Sequence, residues 1–195
     1  VLCQRYVKRG FMYIFDNVLP RDSKSAVWAL QIFLLAEAEK LVGVKAIDKE
    51  IFQPTFEKEG PFIRNRVQSD GAWAVLSDNA GGYWPTALYE LAHETIHLLN
   101  PIVGYTNYLE EGIAVAFSVD LSKNETTHPM SPNDKYYQRA LKLVQLLPDG
   151  VYESARSIRN KFGSLGNAEP VGLKELFPTL KTEIAEELCT EFNFT

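Results

Sequence analysis

The chain has 195 residues, 46% of them apolar and 23% charged, and its 20 Lys and Arg against 25 Asp and Glu leave a net charge of -5. A chain this long buries about 70% of the surface its unfolded form exposes, so it can fold on one hydrophobic core without disulfide or metal staples. The acidic balance excludes a broad basic surface for nucleic acid, and the longest nearly apolar stretch, residues 26–36, contains Gln31 and runs into Glu37, far short of the ~20 residues that span a bilayer.

The sequence begins with Val and shows no basic-then-apolar leader at its start. Cys3 and Cys189 stand at opposite ends of the chain. They make neither a disulfide framework nor a thiolate metal site, and read as unpaired thiols in reducing, cytoplasmic surroundings. Secretion is the alternative if a leader has been removed, and only then do the acceptor triplets Asn124-Glu125-Thr126 and Asn193-Phe194-Thr195 carry meaning.

In chain order, residues 23–42 read as a helix: Val27, Leu30, Leu34 and Leu41 recur at helical spacing, and Gly43 is a natural stop. Three short segments rich in β-formers follow, at 51–56, 62–67 and 72–76. Glu59-Gly60-Pro61 and Asp70-Gly71 separate them, so they read as strands joined by tight turns. Residues 85–99 are helical again. Leu88, Leu91, Ala92, Thr95, Ile96 and Leu99 form one stripe, with Glu90, His93, Glu94 and His97 opposite. Pro85 suits the first turn, and Asn100-Pro101 ends the helix. Further helices are expected at 108–118, 133–147, 151–161 and 180–191. The organisation is a single α+β domain over 1–195: a helix and small sheet in 1–82, paired helices in 83–118 and a helical part in 119–195.

The chemistry is concentrated in His93-Glu94-Thr95-Ile96-His97. Imidazoles four residues apart lie on one helical face, one turn apart, and can share one tetrahedral zinc. Glu94, beside the first imidazole on the same rim, is placed to act as general base; this is the His-Glu-x-x-His arrangement of zinc peptidases. Two of the three histidines in the chain are spent here. A catalytic zinc takes three protein ligands, so one more is required. Glu110 and Glu111 are the next acidic residues. Asn107 resembles an N-cap, and Glu110, three residues on, would close a capping box. That leaves Glu111 as the favoured ligand, followed by Gly112, which would let this helix approach the first.

The segments His93-Glu94-x-x-His97 and Glu110-Glu111-Gly112 resemble the gluzincin clan of zinc metallopeptidases. The resemblance covers residues 83–118. It implies a zincin-like fold, zinc held by His93, His97 and Glu111, hydrolysis of a peptide or protein substrate with Glu94 as base, and a substrate-binding edge strand before the zinc helix, for which 72–78 is the candidate. Clan members also use a Tyr or His to bind the oxyanion. Tyr105 is the candidate, six residues before Glu111; His128, Tyr136 and Tyr137 are weaker ones. The sequence departs from the thermolysin pattern in two ways. Only thirteen residues separate His97 from Glu111, and Val115 replaces an Asp that would orient a zinc histidine. Glu90 and Asp120 are weak substitutes for that Asp. Arg156 and Arg159 read as a solvated helix face. The competing function is a zinc-binding regulatory or interaction module with no turnover, and the intact Glu94 speaks against it.

Overall fold

A computed structural model describes residues 12–68 and 70–193. Cys3 lies outside the described residues, and Cys189 is half-buried and unpaired. After a 3-10 turn at Pro20–Asp22, helix α1 spans Lys24–Val42 and buries Val27, Leu30, Leu34, Ala38 and Val42. Gly43 ends it with φ +107, a conformation other residues rarely adopt.

Four short strands follow: β1 Glu50–Ile51, β2 Thr55–Phe56, β3 Phe62–Asn65 and β4 Gly71–Leu76. β1 and β2 pair parallel to β4, and β3 pairs antiparallel to it. Ala72 is opposite both Ile51 and Asn65, and Val75 is opposite both Thr55 and Phe62. β1 and β2 therefore share one edge of β4, interrupted around Pro54, and β3 holds the other. Two expectations are corrected here. The 51–56 segment runs parallel to the last strand, and only β3 and β4 form a hairpin. The 72–78 segment is no edge, because β4 is paired on both sides; β1 and β2 form one edge of the sheet and β3 the other. Ala72, Ala74 and Leu76 point into the main core, while Trp73 and Val75 face the other way.

The single turn α2, Asp78–Gly82, escapes periodicity analysis because it is too short to show a stripe. Ser77 caps it, accepting from the Ala80 N–H at 3.3 Å. Then come α3 Trp84–Leu98, α4 Tyr108–Glu125, α5 Lys135–Val144, α6 Val151–Phe162, α7 Pro170–Leu176 and α8 Thr182–Cys189. One apolar cluster runs from Val27 on α1 to Leu188 on α8. The chain is thus mixed α+β, a small sheet with mostly helices. Among the described residues no helix is long and apolar enough to cross a membrane.

Three contacts position the central helix pair. Gln31 of α1 donates to Thr95 Oγ1 on α3 at 2.9 Å, a buried hydrogen bond. Gly112 lets α4 approach α5 rather than α3: a Cβ there would lie 2.5 Å from both the Ala140 carbonyl oxygen and Val144 Cγ1. Arg159 of α6 is buried, not solvated. Its guanidinium donates to the carbonyls of Val42, Gly43 and Val44 at 3.2, 2.5 and 2.8 Å and to Asn100 Oδ1 at 2.6 and 3.1 Å. Arg156 also donates to Lys40 and Leu41 carbonyls. These cations satisfy the unpaired carbonyls at the C-terminal end of α1, where the helix dipole favours positive charge.

Candidate metal centre

α3 brings His93, Glu94 and His97 to the start of α4. Glu94 and His97 are buried and His93 is half-buried. Glu90, one turn earlier, accepts from the Ser77 N–H at 2.8 Å and the Ser77 hydroxyl at 2.6 Å, so it anchors α2 and does not orient a histidine. Asp120 is likewise engaged elsewhere, by the Tyr152 hydroxyl at 2.7 Å.

α4 starts where the sequence implies: Asn107 Oδ1 accepts from the Glu110 N–H at 2.9 Å. The Glu110 carboxylate, assigned to a capping box from sequence, instead turns to α3, where its Oε1 lies 3.0 Å from His97 Nδ1. Against a carboxylate, which only accepts, Nδ1 carries the proton. When the ring is neutral, its lone pair is therefore on Nε2. This is the carboxylate–imidazole pairing that fixes tautomer and ring orientation at metal centres.

Nε2 of His97 lies 3.2 Å from Nε2 of His93. Glu111 completes the group, with Oε2 3.2 Å from His93 Nε2 and Oε1 3.5 Å from His97 Nε2. The three side chains offer atoms that all lie within 4.8 Å of one another, and they could hold one metal ion. Ligand atoms of a tetrahedral ion bound at about 2.0–2.1 Å stand about 3.3 Å apart; the two imidazole nitrogens, and Glu111 Oε2 with His93 Nε2, match that spacing at 3.2 Å, while Glu111 meets His97 through its other oxygen. Glu111 Oε2 is moreover buried and out of line for any protein hydrogen bond. Its neighbour is His93 Nε2 at 3.2 Å, and a cation between the two would give both a partner. Glu111 Oε1 is held separately, by the Thr106 hydroxyl at 2.6 Å.

The electrostatics express the same convergence. Burial alone would lower the pKa of His97, but Glu111, Glu110 and Glu94 outweigh it and push the imidazole up to about 10. Burial alone would raise Glu111, yet the His97 and His93 imidazoles and the Thr106 hydroxyl hold it at about 2. Glu94 is pushed up, by burial first, against the opposing pull of His93 and His97.

The tyrosines sort differently from the sequence reading. Tyr105 is 77% exposed on the loop before α4 and makes no hydrogen bond, ion pair or ring contact with a described residue. Tyr137 of α5 is the aromatic at the cluster. Its ring meets the His93 ring edge-on, centroids 5.7 Å apart at 90°. Its hydroxyl pKa is raised by burial and then by Glu111 and Glu94. Tyr136 lies half-buried under the Lys135 ammonium. His128 is exposed on the loop after α4, 6.0 Å from the Tyr83 ring. Sequence reasoning missed Thr106 entirely. A hydroxyl five residues before a candidate ligand is a weak signal, since the intervening turn has to fold the two together.

Compared with models of known protein families, with curated proteins and with solved structures, the chain matches none.

Proposed function

We propose that this chain is a zinc-dependent metallopeptidase of zincin-like fold, with the metal held by His93, His97 and Glu111. The observation that carries the reading is the meeting of two imidazole Nε2 atoms and one carboxylate, with Glu94 buried on the same turn of α3. Two nitrogen donors and a carboxylate suit zinc and leave a fourth position open. Bound there, zinc lowers the pKa of a water and polarises the scissile carbonyl.

The protein's own residues supply the rest. Glu94, as carboxylate, takes the proton of the attacking water. Once protonated, it is placed to return that proton to the leaving amine. Glu110 holds Nδ1–H of His97 so that Nε2 stays a donor to metal. Tyr137 replaces Tyr105 as the hydroxyl assigned to the developing oxyanion. The outer edge of β3 takes the substrate-binding role first given to 72–78, since β4 is already paired on both sides.

The test is hydrolysis of a quenched-fluorescence peptide library by the zinc-loaded protein. Activity that disappears with chelator, returns with one equivalent of zinc and is absent from Glu94→Gln supports the reading. A zinc-loaded parent protein that cleaves no member, or a Glu94→Gln variant as active as the parent, overturns it.

A further inference from the structure

After α8 the chain returns to the metal centre. Tyr108 N–H donates to the Thr190 carbonyl at 3.1 Å, and Phe192 N–H donates to the Thr106 carbonyl at 2.8 Å. Asn107 and Glu191 form the bridge between these bonds. Residues 106–108 are the entry to α4, and they carry both the cap of that helix and the hydroxyl that holds Glu111. The Phe192 side chain is buried, 7% exposed. Its ring packs on Tyr108 at 5.0 Å and on Tyr137 at 5.1 Å.

Two routes therefore lead from Phe192 to the candidate ligands. One is polar: Phe192 N–H holds the Thr106 backbone, and the Thr106 hydroxyl holds Glu111 Oε1 at 2.6 Å. The other is apolar: the Phe192 ring backs Tyr137, whose ring meets His93 edge-on. Without the Phe192 ring the 106–107 turn still has the Asn107 amide on the Leu165 and Gly166 carbonyls at 3.3 and 3.4 Å, but residues 190–192 lose their apolar anchor against it and Tyr137 loses one of its packing surfaces. Short backbone pairings of this kind are weak alone, so the buried aromatic ring is what keeps the segment in place.

We propose that Phe192 is a positioning residue of the metal centre, setting Glu111 through Thr106 and His93 through Tyr137. The proposal rests on the metal-centre reading above, and on neither peptide hydrolysis nor the identity of a substrate. Partners of metal ligands typically cost about 10–100-fold in metal affinity when removed, and Phe192 acts on two of the three.

Zinc affinity is measured by competition with a chromophoric chelator for the parent chain, Phe192→Ala and Phe192→Leu, and the visible spectrum of each cobalt-loaded protein reports the coordination geometry. Phe192→Ala is expected to bind zinc about tenfold or more weakly with an altered cobalt spectrum, and Phe192→Leu, which keeps apolar bulk, to recover most of both. Circular dichroism checks that each variant is folded. If Phe192→Ala fails to fold, Phe192→Val takes its place: a folded Phe192→Val that binds zinc about tenfold more weakly with an altered cobalt spectrum supports the proposal, and one with parental affinity and spectrum overturns it. A folded Phe192→Ala with parental affinity and spectrum overturns it as well. A parent chain that takes up neither metal removes the metal-centre reading, and the proposal with it.

Discussion

Nδ1 of His97 lies 3.0 Å from Oε1 of Glu110, while the neighbouring Glu111 faces Nε2 of the same ring from the other side. Adjacent residues in the first turn of a helix point about 100° apart, so two consecutive carboxylates can take opposite sides of one imidazole. One fixes the proton on Nδ1, and the other joins the lone pair on Nε2. On the proposed reading the pairing gives Glu110 a part in metal binding that a capping role would not.

Glu110→Ala should therefore weaken zinc binding by about 10–100-fold, although Glu110 touches no metal. Glu110→Gln keeps an acceptor for Nδ1–H and should fall between the parent and the alanine variant. Glu111→Gln should lose most of the metal, since a neutral amide is a poor partner for a dication. Competition titrations on the three variants test the order. Parental affinity in Glu110→Ala would return that residue to a purely structural role.

Glu94→Gln preserves shape but removes the base. Zinc content should stay at one equivalent, while peptide hydrolysis falls by roughly 10²–10⁴-fold, the contribution of a positioned acid–base group. Metal analysis beside initial rates separates this outcome from simple loss of the centre.

The metal-free protein should respond to pH in a defined way. His97, raised from 6.5 to about 10, contributes stability fully below pH 6.5 and loses it as pH rises towards about 10. Glu111, lowered from 4.5 to about 2, contributes above pH 4.5 and loses it as pH falls towards about 2. Glu94, raised by burial, works the other way from Glu111 and opposes folding as pH rises above 4.5. The contribution of His97 and Glu111 is fullest near pH 4.5–6.5, and thermal melts of chelator-treated protein across pH, beside His97→Ala, measure it. Zinc must displace the His97 proton, so its apparent affinity should rise about tenfold per pH unit between about 7 and 9. A flat profile would contradict the coupling.

Gly112→Ala would place a methyl group 2.5 Å from the Ala140 carbonyl oxygen. A backbone atom cannot rotate aside, so α4 and α5 must separate, at a cost of about 1–3 kcal/mol. Tyr137 rides on α5, and hydrolysis should fall with stability. Urea unfolding together with peptide assays checks both effects.

Arg159→Ala removes five hydrogen bonds from a buried guanidinium and uncovers the carbonyls at the end of α1. The expected destabilisation is about 2–4 kcal/mol, read from urea unfolding. Arg159→Lys should recover little, because one ammonium cannot span the same acceptors.

Local patterns in the sequence determined the helices that carry the chemistry. A period of 3.6 residues places His93 and His97 on one face, Asn107 starts the next helix through its own side chain, and the step from that cap turns Glu111 towards the first helix. These relations act within one or two turns and need no knowledge of the remaining chain. The sheet was legible as three extended segments, but not the direction of pairing, because β1 and β2 meet β4 only after the chain has passed through β3. The tertiary structure alone decided that Glu110 serves His97 rather than its own cap, that Gly112 accommodates α5, that Arg159 is buried against the end of α1, and that Tyr137, Thr106 and Phe192 converge on the His93, His97 and Glu111 cluster. Each of these is a contact between elements distant in sequence. Packing geometry sets them, and a carboxylate, a glycine or an aromatic ring looks the same in the sequence whichever neighbour it finally meets.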